Sequence, residues 1–238
     1  MKYFALALVL AFSASAQAEP LTLLTEEYRP YNFSAAGKPS GASVEQAELI
    51  MKALDAEYSI EILPWARAFS LAENQPSTCV FTTGHDDERS TRFKWVEPLL
   101  VDRMAMLKKA GSIVDPVNIE DAKRFTVGTQ REDFSSNFLR NNHFPKVDLA
   151  ADMEATLKKL LSGRIDLMMT SEKTFETMRA EGKDVEAALL LDGKLYGFAC
   201  NLAVPDATIA AMQAELDKLI KDGTQNRIFE KYGLRTGQ

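Results

Sequence analysis

The chain has 238 residues, 46% hydrophobic, 26% charged and 9% aromatic, with 28 Lys and Arg against 34 Asp and Glu and a formal net charge of −6. Such a composition builds a buried core and excludes disordered and fibrous classes, and without a basic block anywhere a nucleic-acid partner is not expected. Only two histidines, His85 and His143, and two cysteines, Cys79 and Cys200, are present, far apart, so no zinc-ligand spacing can be written and no metal is expected.

The first segment in chain order is an export signal. Lys2 precedes an apolar run over residues 3–12, and a small-residue stretch ends in Ala16-Gln17-Ala18. This is the three-part layout of a secretory signal peptide, and the apolar run is too short for a bilayer span of roughly 20 residues. Cleavage is expected after Ala18, and no cysteine follows the cut to accept a lipid. Export permits thiols to pair. Cys79 and Cys200 both lie in apolar runs that read as buried strands, so a disulfide and two buried free thiols are equally open readings.

Residues 21–25 read as a strand delivering the loop Tyr28-Arg29-Pro30-Tyr31, and residues 37–41 read as a turn. Ser43-Val44-Glu45-Gln46 has the form of a capping box, followed by a helix over 44–55 with Val44, Ala47, Ile50, Met51 and Leu54 on one face. A strand over 58–63, a helix over 65–73 opened by Pro64, and a strand over 78–83 follow. This alternation predicts a mostly parallel sheet covered by helices. Ligands in such sheets sit beyond the carboxyl ends of the strands, which gathers 26–31, 64–67 and 82–89 around one crevice. The pattern then restarts with strands over 125–129, 146–149 and 165–169 and helices over 133–140, 152–161 and 171–180, the last with Ser171 as N-cap and Gly182 past its end. Two successive α/β units predict two lobes. The final segment reads as a helix capped by Asp206, with Ile209, Met212, Leu216, Leu219 and Ile220 apolar, ended by Gly223.

Taken together, Tyr28-Arg29-Pro30-Tyr31, the Glu88-Arg89 pair with Phe93 and Pro98 downstream, Gly163-Arg164-Ile165-Asp166, Asp222-Gly223-Thr224 and Lys231-Tyr232-Gly233 resemble the family-3 extracellular solute-binding proteins, the polar-amino-acid receptors of bacterial ABC importers. Pro64-Trp65-Ala66-Arg67-Ala68 resembles a subgroup of that family. The resemblance implies a type II periplasmic-binding-protein fold of class α/β, with two lobes, each a mostly parallel sheet flanked by helices, closing over a ligand. Mapped onto this chain, lobe one is residues 19–108 with 200–238 and lobe two is 109–199, with hinge crossings at 104–108 and 197–201. That mapping brings Cys200 near Cys79 in neighbouring strands and favours the disulfide.

By the same resemblance Arg89 clamps a ligand carboxylate, for which a guanidinium offers two parallel donors. Thr82, Thr83 and Gly84 add contacts at the same end, Tyr28 stacks on the ligand, Trp65 forms the opposite wall and Arg67 is a second anion contact. Two positions depart from the pattern. The lobe-two loop that usually reads Gly-Thr-Thr is Glu132-Asp133-Phe134, where Asp133 is a natural N-cap that satisfies the helix donors itself. The aspartate expected to hold a ligand ammonium is Ser171, with Glu172 or Glu132 as replacements. The leading expectation is therefore a periplasmic, monomeric, non-enzymatic receptor that hands a small carboxylate-bearing solute to an ABC permease, without a cofactor. A sensory partner of a membrane receptor is the second reading. A periplasmic dehydratase, with Glu172 as general acid beside Arg89 and Arg131, is the third. The nucleophile templates fail, and His85 reads as a loop histidine.

Overall fold

A computed structural model describes residues 20–235, so the expected signal peptide lies outside the described residues. In chain order the elements are β1 (Leu21–Thr25), β2 (Phe33–Ala35), β3 (Lys38–Ser40), α1 (Ala42–Ala53), β4 (Tyr58–Ile62), α2 (Trp65–Asn74), β5 (Thr78–Gly84) and β6 (Lys94–Lys109). Then come α3 (Ile119–Ala122), β7 (Val127–Gln130), α4 (Phe134–Asn141), β8 (Val147–Ala150), α5 (Met153–Leu161), β9 (Leu167–Ser171), α6 (Glu172–Ala180), β10 (Val185–Cys200), α7 (Asp206–Lys221) and α8 (Thr224–Lys231). Eight strands form one sheet in the order β4-β1-β5-β10-β6-β9-β7-β8. β1 runs parallel to β4 and β5, and β7 runs parallel to β8 and β9.

The two longest strands, β6 and β10, lie antiparallel along most of their length and change their outer partners midway. Residues 196–200 of β10 pair with β5, whereas residues 104–107 of β6 pair with β9. Register shifts in the β6–β10 ladder fall between Leu190 and Gly193 and between Tyr196 and Phe198. The segments expected as hinge crossings flank this change of partner. One half thus holds β1, β4 and β5 with α1, α2, α7 and α8, and the other holds β7, β8 and β9 with α4, α5 and α6.

Each half has its own core. Leu23, Ile50, Phe81, Phe198 and Leu216 pack in the first, with Trp65, Phe69, Val80 and Phe93 on the other face of its sheet. Leu107, Leu160, Ile165 and Met168 pack in the second. A further cluster, with Tyr28, Tyr31, Met104, Phe134 and Tyr196, lies where the halves meet. At the usual ~25 cal/mol per Å² of apolar surface, each fully buried Leu, Ile or Phe contributes on the order of 2 kcal/mol.

Local chemistry accounts for several boundaries. Asp133, Asp152 and Ser171 each accept a hydrogen bond from a backbone N–H of the following first turn, as N-caps do. Cys79 and Cys200 are register partners on β5 and β10 and form a disulfide. Three local expectations are corrected. The N-cap of α1 is Gly41, not Ser43, and no side chain caps it. Gly41 has φ 124°, and a Cβ there would stand 2.3 Å from the Tyr31 carbonyl oxygen, so only glycine fits. Gln46 faces the interior instead, donating to the Ala42 carbonyl and accepting from Gln225. The turn at 37–41 is the strand β3 paired with β2. Pro205 takes the N-cap position of α7, and Asp206 inside the helix pairs with Lys94. Among the described residues no helix is long and apolar enough to cross a membrane.

Candidate functional site

The carboxyl ends of β1, β5, β7 and β9 meet at the seam between the halves, each delivering a loop or helix start rich in polar side chains. After β5 the turn over 86–89 is fixed by Asp86, whose side chain and carbonyl both accept from the Arg89 N–H. Arg89 is only 1% exposed. Its Nη1 donates to the Gly84 carbonyl at 2.9 Å, and its Nη2 donates to the Glu132 carbonyl of the opposite half. The guanidinium lies 4.8 Å from the centre of the Phe69 ring, and Phe69 packs on Trp65 at 5.7 Å. Burial holds Arg89 below the usual arginine range, and the charges of Asp133 and Asp86 oppose that shift.

Glu132 has φ 59°, in the left-handed region. It occupies the place of the expected glycine, and the left-handed backbone at this position gives the physical reason for a glycine there. Asp133, next in sequence, has its carboxylate engaged by the N–H and hydroxyl of Ser135. The start of α4 is therefore neutralised from within. Thr82, at φ 58°, is a β-branched residue in a sparsely populated conformation.

Further contacts cross the seam. Asn137 Nδ2 donates to Asp86 Oδ2 at 3.1 Å, Arg140 pairs with Glu88, and Gln130 Nε2 donates to Glu26 Oε2 at 2.6 Å. Tyr31 donates to Asp102, which also accepts from the backbone N–H groups of Arg103 and Lys173. Burial raises the pKa values of Tyr28, Tyr31, Asp102 and Tyr196, so all four favour their neutral forms more than they would in water. Several buried polar atoms here have no hydrogen-bond partner: Arg89 Nε, which lies 3.8 Å from Asp86 Oδ2, Thr82 Oγ1, Gln130 Oε1 and Tyr196 Oη. Buried polar atoms are normally paired, and four unpaired ones at one seam make a set of donors and acceptors suited to a small polar guest. Two surface cavities open on the seam, one lined by His85, Asp86, Phe134 and Asn137, the other by Tyr28, Arg29, Met153 and Thr174.

Of the residues expected at the site, Tyr28, Thr82, Thr83, Gly84, Arg89 and Glu132 are brought to the seam, with Ser171 adjoining Tyr28 and Tyr31. The Thr83 hydroxyl is spent on the Val80 carbonyl. The others are exposed or otherwise engaged. Trp65 is buried against Phe69 and supports Arg89 from behind. Arg67 and Arg131 are exposed. Glu172 lines a cavity with Tyr31 and Asp102 and is held there by both terminal nitrogens of Arg235 at 3.0 and 3.1 Å and by Arg103 at 3.7 Å. His85 forms hydrogen bonds with Glu97 and Ser90, and its ring stacks on Trp95 at 4.0 Å. Glu26, Tyr31, Asp102, Gln130 and Tyr196 also lie at the seam; Glu26 and Tyr31 fall within the loop 26–31 expected there, whereas Asp102, Gln130 and Tyr196 were not singled out from sequence. For Glu26 the signal was present, since it stands at the carboxyl end of the first strand.

The sequence model of bacterial extracellular solute-binding proteins, family 3, matches residues 21–235. No curated protein matches the chain in sequence. Among solved structures, a histidine kinase sensor domain with similarity to periplasmic binding proteins superposes with a TM-score of 0.82 at 18% identity, over 91% of this chain and 96% of that one. The arginine-, lysine-, histidine-binding protein ArtJ from Geobacillus stearothermophilus gives 0.78 at 19%, over 90% and 95%. The ancestral amino acid-binding protein AncCDT-1, a precursor of cyclohexadienyl dehydratase, gives 0.76 at 19%, over 90% and 94%. At these identities the likeness is one of fold.

Proposed function

Since the chain belongs to the bacterial extracellular solute-binding proteins of family 3, we propose that it captures a small carboxylate-bearing polar solute, an amino acid or a related compound, between two closing lobes. The lobes are the two halves of the sheet, nominally residues 19–108 with 200–238 and residues 109–199, hinged along β6 and β10. After export and loss of its signal peptide, the monomeric protein delivers the solute to an ABC permease of the inner membrane.

The observation that carries this reading is the buried position of Arg89 across the seam. One of its Nη atoms is bound to its own half, and the other to a carbonyl oxygen of the opposite half. Separation of the halves frees Nη2 beside Nε, which donates no hydrogen bond, and two parallel donors then present the fork that a carboxylate accepts. Closure afterwards removes water from the pair and strengthens it.

A thermal-shift screen of amino acids and dicarboxylates, followed by X-ray scattering with the best hit, tests the reading. A hit should raise the transition by mass action and shrink the particle. Stabilisation without compaction, or no hit at all, rejects it.

A sensory role is the second reading, favoured by the likeness to a histidine kinase sensor domain. Stimulation of a reconstituted permease's ATPase activity by the loaded protein supports transport, and its absence alongside ligand-dependent binding to a membrane kinase supports sensing. The dehydratase reading is weakened because its proposed acid, Glu172, is engaged by Arg235 and Arg103. Multiple turnovers of a candidate substrate would restore it.

A further inference from the structure

Helix α8 ends on a glycine that turns the chain toward the opposite half. Gly233 has φ 65°, its N–H donates to the Glu230 carbonyl at 3.1 Å, and the next N–H, of Leu234, reaches back to the Phe229 carbonyl at 2.8 Å. This is a Schellman ending, and it gives Lys231-Tyr232-Gly233 a physical role. α8 itself is fixed in the first half: Gln225 Nε2 donates to Gln46 Oε1 and to the Leu99 carbonyl, and Lys231 pairs with Glu45 of α1 at 2.6 Å. The tail beyond it crosses to the second half. Leu234 packs against the apolar cluster at the seam, and Arg235 grips α6. Its Nη1 and Nη2 donate to the two carboxylate oxygens of Glu172 at 3.0 and 3.1 Å, and Nη2 also donates to Glu176 Oε1 at 2.9 Å. Beside this grip Asp102 of β6 accepts from the Tyr31 hydroxyl and from the Lys173 N–H, so two links from the first half meet at the start of α6.

Most exposed ion pairs contribute little. This one differs because the Glu172 side chain is only 10% exposed, while Arg103, its other cation, stands 3.7 Å away and out of hydrogen-bond reach. Departure of the tail takes both charge-assisted donors from a carboxylate already largely out of water, which is costly. We propose that residues 232–235 form a strap that biases the ligand-free protein toward the closed arrangement of its halves, with Arg235 as the anchor and Glu172 and Glu176 as its seat. The strap acts outside the cleft and without the solute, and it sets how readily the seam opens. For its effect on solute affinity it rests on the capture reading above.

X-ray scattering of the full mature chain without ligand tests it. Arg235→Ala should have a larger radius of gyration than the parent protein. Glu172→Gln should widen the particle in the same way, and the double variant should be no wider than either, since the two residues act through one contact. Lys231→Ala, which breaks an ion pair inside the first half, should keep the parent's dimensions. With the best solute from the thermal-shift screen, calorimetry should give Arg235→Ala an affinity about fivefold weaker, as loss of one part-exposed bidentate pair implies. Unchanged dimensions in Arg235→Ala overturn the strap and leave solute capture standing, as does equal widening by Lys231→Ala. An unchanged affinity in a wider particle overturns its influence on binding. If no solute binds, capture falls and the scattering alone decides the strap.

Discussion

Gly84 at the end of β5 faces Phe134 at the start of α4 so closely that a Cβ on the glycine would stand 2.7 Å from the aromatic ring. The two residues belong to opposite halves, and the ring also packs edge-on against Tyr196 at 5.6 Å, so it has little room to retreat. Gly84 therefore permits closure in a way no other residue can. Gly84→Ala should leave the core of each half intact but wedge the seam. Affinity for the solute should fall at least tenfold, and scattering should show a liganded particle as extended as the free one. Normal compaction of the variant would show that closure does not run through this contact.

Arg89 has a structural as well as a binding role. Replacing it by Ala removes the donors to the Gly84 and Glu132 carbonyls and a buried charge facing Asp86 and Asp133. Breaking a buried charge pair costs on the order of 3 kcal/mol, about a hundredfold in affinity. Arg89→Ala should thus lose about two orders of magnitude in solute affinity and also lower the melting temperature. Arg89→Lys should recover part of the stability and little of the affinity, because an ammonium cannot supply two parallel donors. Equal affinities for all three proteins in calorimetry would remove Arg89 from the site.

Glu26 gives the protein a pH dependence of definite sign. Burial raises its pKa from the ordinary carboxyl range to about 8, Gln130 opposes the shift through its hydrogen bond, and Asp133 and Asp152 add to it. The folded protein keeps a proton there that the unfolded chain has released, so the carboxyl's contribution to stability is full below the unfolded pKa. It is lost as pH rises toward 8. Glu26→Gln should flatten that part of the stability profile of the ligand-free protein, as measured by denaturant titration at several pH values. A stability profile that Glu26→Gln leaves unchanged would contradict this assignment.

The Cys79–Cys200 disulfide closes a loop of 121 residues between β5 and β10, within the core of the first half and apart from the seam. In the chain-entropy model such a crosslink stabilises by roughly 4–5 kcal/mol. The double replacement of both cysteines by Ala should lower the free energy of unfolding by about that amount while changing solute affinity less than threefold. A large loss of affinity would show that the bond also positions the β5 loop.

The sequence by itself determined what depends on near neighbours in the chain. Hydrophobic periodicity located β1, β4, α2 and β5 within a residue or two, and Asp133, Asp152 and Ser171 cap their helices because an N-cap needs only a side-chain oxygen and the first turn. The same local rule failed at Ser43, where Gln46 instead accepts from Gln225, 179 positions away. Only the tertiary structure decided which charges are compensated. Arg235 reaches Glu172 across 63 positions and compensates its charge, while Glu26, equally acidic on paper, is left facing Gln130 and other acids. The reason is physical: a hydrogen bond within one turn is written into adjacent residues, but the cost of burying a charge is set by whatever distant segments the fold packs around it.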